Sequence, residues 1–162
     1  MSVRRAVPGD EVILRQVRLD AVADAPSAFA TDLACEKART LDGWRRWLSP
    51  GVTLLWQEGG GPAQGLVAGV VTGGDTAHLA ALWVHPDCRG RGVGDALVAD
   101  LVRWSQGERR LSLQVVESNE PARRLYARQG FVVVSGPAIG TSGALEVEMQ
   151  HRGQVPSRHV AE

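Results

Sequence analysis

The chain has 162 residues, 44% of them apolar and 22% charged, the profile of a soluble single domain with room for a sizeable core. Eighteen basic residues balance eighteen acidic ones, so bulk charge gives no drive toward nucleic acid or an anionic membrane. No apolar stretch spans a bilayer, the N-terminus has no signal-peptide core, and two cysteines without ligand spacing, Cys35 and Cys88, point to the reducing cytoplasm and to no metal.

In chain order, residues 3–7 read as a short strand ended by Pro8 and Gly9. Asp10 is a capping residue for a helix whose apolar side holds Val12, Leu14, Val17 and Leu19. Residues 24–32 form a loop plugged by Phe29, and a second helix is expected over 32–48, with Leu33, Leu41, Trp44, Trp47 and Leu48 as its apolar residues. Strands at 52–57, 63–72 and 77–84 follow, separated by glycine-rich turns, as an antiparallel meander. Leucine and valine alternate at 111, 113 and 115 in a strand over 109–116. A short helix then carries Ala122, Leu125 and Tyr126 on one side and stops at Gly130. Two more strands, 131–134 and 145–150, complete a mixed sheet packed with helices, an α+β architecture. Residues 1–150 are read as one domain and 151–162, which lack periodicity, as a flexible tail.

Between the third and fourth long strands lies the segment richest in information, "HPDCRGRGVGDALVADLVRWS" at 85–105. Glycines at 90, 92 and 94 free the backbone for tight turns and close approach. Val93, Leu97, Leu101 and Trp104 then repeat at helical spacing. A strand, a glycine turn and a helix N-terminus make an anion cradle, with phosphate as the candidate anion. A Walker loop is excluded because no Gly-Lys-Ser/Thr ending occurs. A dinucleotide fingerprint fails because Asp95 occupies the third glycine position and the loop sits halfway along the chain. A tight turn alone is the remaining alternative.

"LAALWVHPDCRGRGVGDALVADLV" resembles the acetyl-CoA-binding segment of the GCN5-related N-acetyltransferase (GNAT) superfamily, whose Arg/Gln-x-x-Gly-x-Gly/Ala pattern is met by Arg89, Gly92 and Gly94. "ESNEPARRLYARQGFVVV" is similar to the second family segment at Asn119, Ala122, Tyr126, Gly130 and Phe131. The resemblance covers about residues 3–150. It implies a layered α/β/α acyl-CoA N-acyltransferase fold, with a mostly antiparallel sheet whose central parallel strands splay apart.

The same resemblance implies acetyl-CoA as cosubstrate and CoA as product. Backbone amides along Arg89, Gly90, Arg91, Gly92, Val93, Gly94 and Asp95 hold the pyrophosphate. Arg89 and Arg91 either add charge there or point into solvent. Leu82, Trp83 and Val84 offer strand backbone to the peptide-like pantetheine, and Asn119 bonds the same arm, caps the following helix, or does both. Tyr126 is implied as the acid that meets the departing thiolate, against an ordinary core role. Many relatives carry Glu where this chain has His78, whose imidazole suits base work near neutrality unless it is only a strand-end residue. The reaction is direct attack by a primary amine of a small molecule or peptide in a ternary complex, with the Val84 N–H as candidate oxyanion donor. A catalytically inactive acyl-CoA-binding or interaction domain is the alternative. A homodimer is compatible with the resemblance. Phe29, Trp44 and Trp47 either wall the acceptor site or belong to the core.

Overall fold

A computed structural model describes residues 2–29, 31–48, 51–141 and 143–153. Seven strands form one sheet in the order β1-β2-β3-β4-β5-β7-β6. The strands are β1 (Ser2–Arg5), β2 (Gly51–Gln57), β3 (Ala63–Gly73), β4 (Thr76–Val84), β5 (Arg110–Val116), β6 (Phe131–Ile139) and β7 (Leu145–His151). Every neighbouring pair is antiparallel except β4 with β5. The helices are α1 (Glu11–Asp24), α2 (Leu33–Ala38), α3 (Leu41–Trp47), α4 (Val93–Ser105) and α5 (Glu120–Arg128).

Period-two alternation along the strands splits the core into two layers. Leu54, Trp56 and Val67 face a core shared with α4 and α5. Their neighbours Leu55 and Leu66 face a second core with Leu14, Val17 and Ala21 of α1 and Trp44 of α3. The sheet is therefore sandwiched between helices, as the sequence implied.

Four local expectations change. The helix expected over 32–48 is two helices, because Thr40 takes an extended conformation and its hydroxyl caps the next turn by accepting from Gly43 N at 3.0 Å. Asp32 caps the first piece from Cys35 N at 2.7 Å. Val12, expected on the buried side of α1, is 69% exposed, whereas Arg18 lies among the buried residues of that helix. The strand expected to end at 134 runs to Ile139, passing register shifts between Val133 and Ala138. Finally, β7 reaches His151, whose ring meets Phe131 edge-on at 5.3 Å. The rest of the expected tail, from residue 154, lies outside the described residues.

Candidate active site

The parallel pairing of β4 with β5 is short. It joins Thr76 to Arg110, Ala77 to Leu111 and His78 to Ser112, and goes no further. Beyond His78 the two strands have no ladder between them, and the sheet opens. A bulge deepens this break. Between the Leu66–Trp83 and Ala68–Ala80 pairs, β3 advances two residues and β4 three. The extra residue places Ala81 at φ 59°, a left-handed conformation costly for any side chain.

Antiparallel alternation decides which backbone groups face the opening. His85 N donates to Gln64 O at 2.7 Å, so the adjacent Val84, paired with Gly65, turns its N–H and C=O away from β3. The carbonyl is already engaged, because Arg89 Nε donates to it at 2.9 Å. The N–H remains on the open side.

A cavity of about 640 Å³ occupies this opening and is lined by His78, Ala81, Leu82, Asn119 and Tyr126. Residues singled out from the sequence thus meet in one place: His78, Leu82, Asn119 and Tyr126, together with the acceptor-wall candidates Phe29 and Trp47, whereas Trp44 belongs to the second core. Trp83 does not join them. It is buried in the second core, and its indole Nε1 donates to Asp24 at 3.0 Å. Val84 and the glycine loop lie outside the cavity wall.

Tyr126 is 7% exposed and stacks edge-on against Phe131 with ring centroids 5.8 Å apart. Burial pushes its phenol well above the ordinary range, so the group stays protonated. Burial also pushes the His78 imidazole below its usual value, with the Glu148 carboxylate pulling weakly the other way. The ring is therefore held in its neutral form, with a nitrogen lone pair available as a base. Its Nδ1 lies 3.5 Å from the Ser112 hydroxyl, on the last paired residue of β5. Asn119 Oδ1 accepts from Ala122 N at 3.3 Å, which makes it the cap of α5 as well as a cavity residue.

The glycines have separate reasons. Gly90 and Gly92 hold φ values of 74° and 80° with open space where a Cβ would stand. Gly92 is the residue before α4, its carbonyl accepting from Ala96 N at 3.0 Å. The first-turn amides of Val93, Gly94 and Asp95 thus project from a helix end that carries no side-chain cap. Gly94 is a packing residue, since a Cβ there would meet Leu125 Cδ1 at 2.8 Å. Asp95 receives Arg128 Nη2 and Gln129 Nε2, both at 3.0 Å, and ties α4 to the end of α5. Arg89 pairs with Asp24 at the end of α1. Arg91 is exposed, with no hydrogen bond or ion pair among the described residues.

Residues the sequence did not single out complete the cavity. Ala81 sits at the bulge, Glu146 projects from β7, and Arg18 and Arg46 come from α1 and α3. Arg18 nevertheless carries a sequence signal of its own. It falls at i+4 from Leu14 and i−4 from Val22, inside the buried stripe of α1.

Among the described residues no group of His, Cys, Asp and Glu forms a metal site, and no helix is long and apolar enough to cross a membrane. A model of the Acetyltransferase (GNAT) family matches residues 19–131. No curated protein matches the chain. Among solved structures, a GCN5-related N-acetyltransferase from Kribbella flavida superposes with TM-score 0.72 at 24% identity, over 94% of this chain and 97% of that one. The ribosomal-protein-S18-alanine N-acetyltransferase from Escherichia coli gives 0.68 at 19% identity, covering 99% of each chain. The spermidine N-acetyltransferase from Vibrio cholerae, solved with CoA and spermine, gives 0.67 at 15% identity over 92% of each.

Proposed function

The chain belongs to the GNAT acetyltransferase family, and we propose that it transfers the acetyl group of acetyl-CoA to a primary amine by direct attack in a ternary complex. The observation that carries this reading is the end of the β4–β5 ladder at His78 and Ser112, directly beside a cavity that holds a neutral imidazole and a protonated phenol.

The first-turn amides of α4, with the positive helix end behind them, receive the pyrophosphate. Arg91 adds charge from solvent, while Arg89 holds the loop to α1 through Asp24. The pantetheine lies along the unpaired side of β4, and Asn119 bonds it with whatever its capping duty leaves free.

The thioester carbonyl then sits in the opening. His78, directly or through water, takes a proton from the incoming ammonium, and the amine lone pair attacks the carbonyl carbon. The carbonyl oxygen gains charge against a backbone N–H on the open side of β4, that of Val84. The C–S bond breaks, Tyr126 gives its proton to the departing thiolate, and the attacking nitrogen sheds its second proton to water as the amide forms; solvent then reprotonates Tyr126 and takes the proton held by His78. Acetyl-CoA is already activated, so no covalent acyl-enzyme is required. Cys88 is buried, its thiol donating to Gln64 Oε1 at 3.4 Å, and takes no part.

Release of free CoA thiol from acetyl-CoA across a panel of amines tests the reading, with mass spectrometry of the acetylated product. Acetyl-CoA binding without turnover of any amine or peptide N-terminus would instead establish an inactive acyl-CoA-binding domain.

A further inference from the structure

At the end of the cavity formed by α1 and α3, the wall is cationic. Arg18 and Arg46 line it. The only acidic residue on the cavity wall, among the described residues, is Glu146 from β7. Arg46 is exposed and has no ion-pair partner among the described residues. Arg18 is 9% exposed.

The setting of Arg18 is more than a structural ion pair requires. Its guanidinium lies over the Phe29 ring at 4.6 Å and faces Trp47 at 5.8 Å. Stacking of this kind fixes the guanidinium plane and leaves its edges for hydrogen bonds. One edge looks toward Glu36, but loosely, with Nε 3.5 Å from Oε2. Glu36 is 1% exposed and spends its other oxygen on Arg39 Nη2 at 2.9 Å and the Thr31 hydroxyl at 3.0 Å. Two guanidiniums therefore share one buried carboxylate, which leaves a net positive charge in that layer. Both Nε and Nη1 of Arg18 are buried without a hydrogen-bond partner. Donors left in that state are costly, and charged ones most of all. A structural role alone gives no reason for the excess charge to border the cavity. An anionic ligand does.

We infer that Arg18, supported by Arg46, is the anchor for a carboxylate on the acceptor, so that the amine acetylated here belongs to a molecule bearing an anionic group beside an apolar part held by Phe29 and Trp47. The inference rests on the acetyl-transfer reading of the same cavity. It also separates this chain from polyamine chemistry, since a cationic wall repels a second ammonium.

The test compares acceptors in which an amide replaces the carboxylate, with kcat/KM corrected for the neutral-amine fraction of each: L-phenylalanine with L-phenylalaninamide, 4-aminobutyrate with 4-aminobutyramide, and Ser-Glu-amide with Ser-Gln-amide. The first two pairs probe a small amino acid and the third a peptide side chain. Spermidine is the cationic control. The expected result is a kcat/KM ~10- to 100-fold higher for the carboxylate member of at least one pair, as one charge-assisted hydrogen-bonded contact provides.

The variant Arg18→Gln removes the anchor and leaves Glu36 paired with Arg39, so no buried charge is stranded. It is expected to raise KM for the carboxylate acceptor and to leave the amide and acetyl-CoA affinity unchanged. Equal or better use of the amides, or of spermidine, overturns the inference while leaving acetyl transfer intact. Calorimetric binding of the same pairs to the CoA complex reads the anion site without turnover. Carboxylate-selective binding with no turnover would uphold the anchor and sink the catalytic reading, and unselective binding would sink the anchor.

Discussion

Arg89 Nε bonds the Val84 carbonyl at 2.9 Å, and the same guanidinium holds Asp24 at the end of α1. Asp24 is doubly engaged, since the Trp83 indole and Arg89 both hold its carboxyl below the ordinary range. A motif arginine that looks like a phosphate ligand in the sequence is thus a buckle between the cofactor strand, the glycine loop and α1. Arg91, two residues on, keeps its charge free.

The two arginines should therefore fail differently. Arg91→Ala is expected to weaken acetyl-CoA binding by ~3- to 10-fold, with more loss at low salt than at high, and to leave the melting temperature unchanged. Arg89→Ala is expected to cost ~1 kcal/mol of stability or more, because the Val84 carbonyl and Asp24 lose a shared partner. Calorimetric titration and thermal unfolding of both variants separate the roles.

Gly92 stands at φ 80° just before α4. Asp is among the side chains that best tolerate this region, so Gly92→Asp should still fold. Its carboxylate would point at the anion cradle, and acetyl-CoA affinity should fall ~10-fold or more. Unchanged affinity in a variant with native circular dichroism would move the pyrophosphate elsewhere.

Ala81 at φ 59° gives a stability test of the bulge. Gly in an ordinary strand interior costs ~0.5–1 kcal/mol relative to Ala. Here relief of the left-handed strain offsets that loss, so Ala81→Gly should be near neutral. Ala81→Val should cost at least ~1 kcal/mol, because branching at Cβ raises the strain. Urea midpoints at constant slope measure both.

The sequence carried the glycine loop, the helix cap at Asn119 and the β2–β3–β4 meander, because each is written in local residue types and spacing. Ala81 left no trace, since nothing about an alanine marks a position that glycine would suit better. The break at Thr40 was hidden because no proline or glycine stands at residues 38–41 and a single threonine is a weak signal for a new helix start. The Arg89–Asp24 bond joins residues 65 apart, and no local pattern can show it. Arg18 was legible in principle, as a charge inside the apolar stripe of α1.

His78 links function to pH. Burial lowers its folded pKa, so the unfolded chain takes up a proton near the reference value of ~6.5 before the folded protein does. Stability is complete above that value and falls as pH drops through it toward the folded pKa. His78→Gln should flatten this slope, measured by unfolding between pH 7.5 and ~5. In turnover, the acid limb of the wild-type profile should lie below ~6.5, and His78→Ala should lose most activity at low pH, recovering partly as the acceptor amine becomes neutral unaided.

The most direct measurement is steady-state release of CoA thiol by wild type and Tyr126→Phe at saturating acetyl-CoA, with acetyl-CoA affinity measured on the same preparations. Phe keeps the ring packed on Phe131 and removes only the phenolic proton. The account predicts turnover by the wild type, unchanged affinity in the variant, and a rate ~10- to 100-fold lower. Full turnover by Tyr126→Phe would contradict the assignment of the acid, and no turnover by the wild type with any amine would contradict acetyl transfer itself.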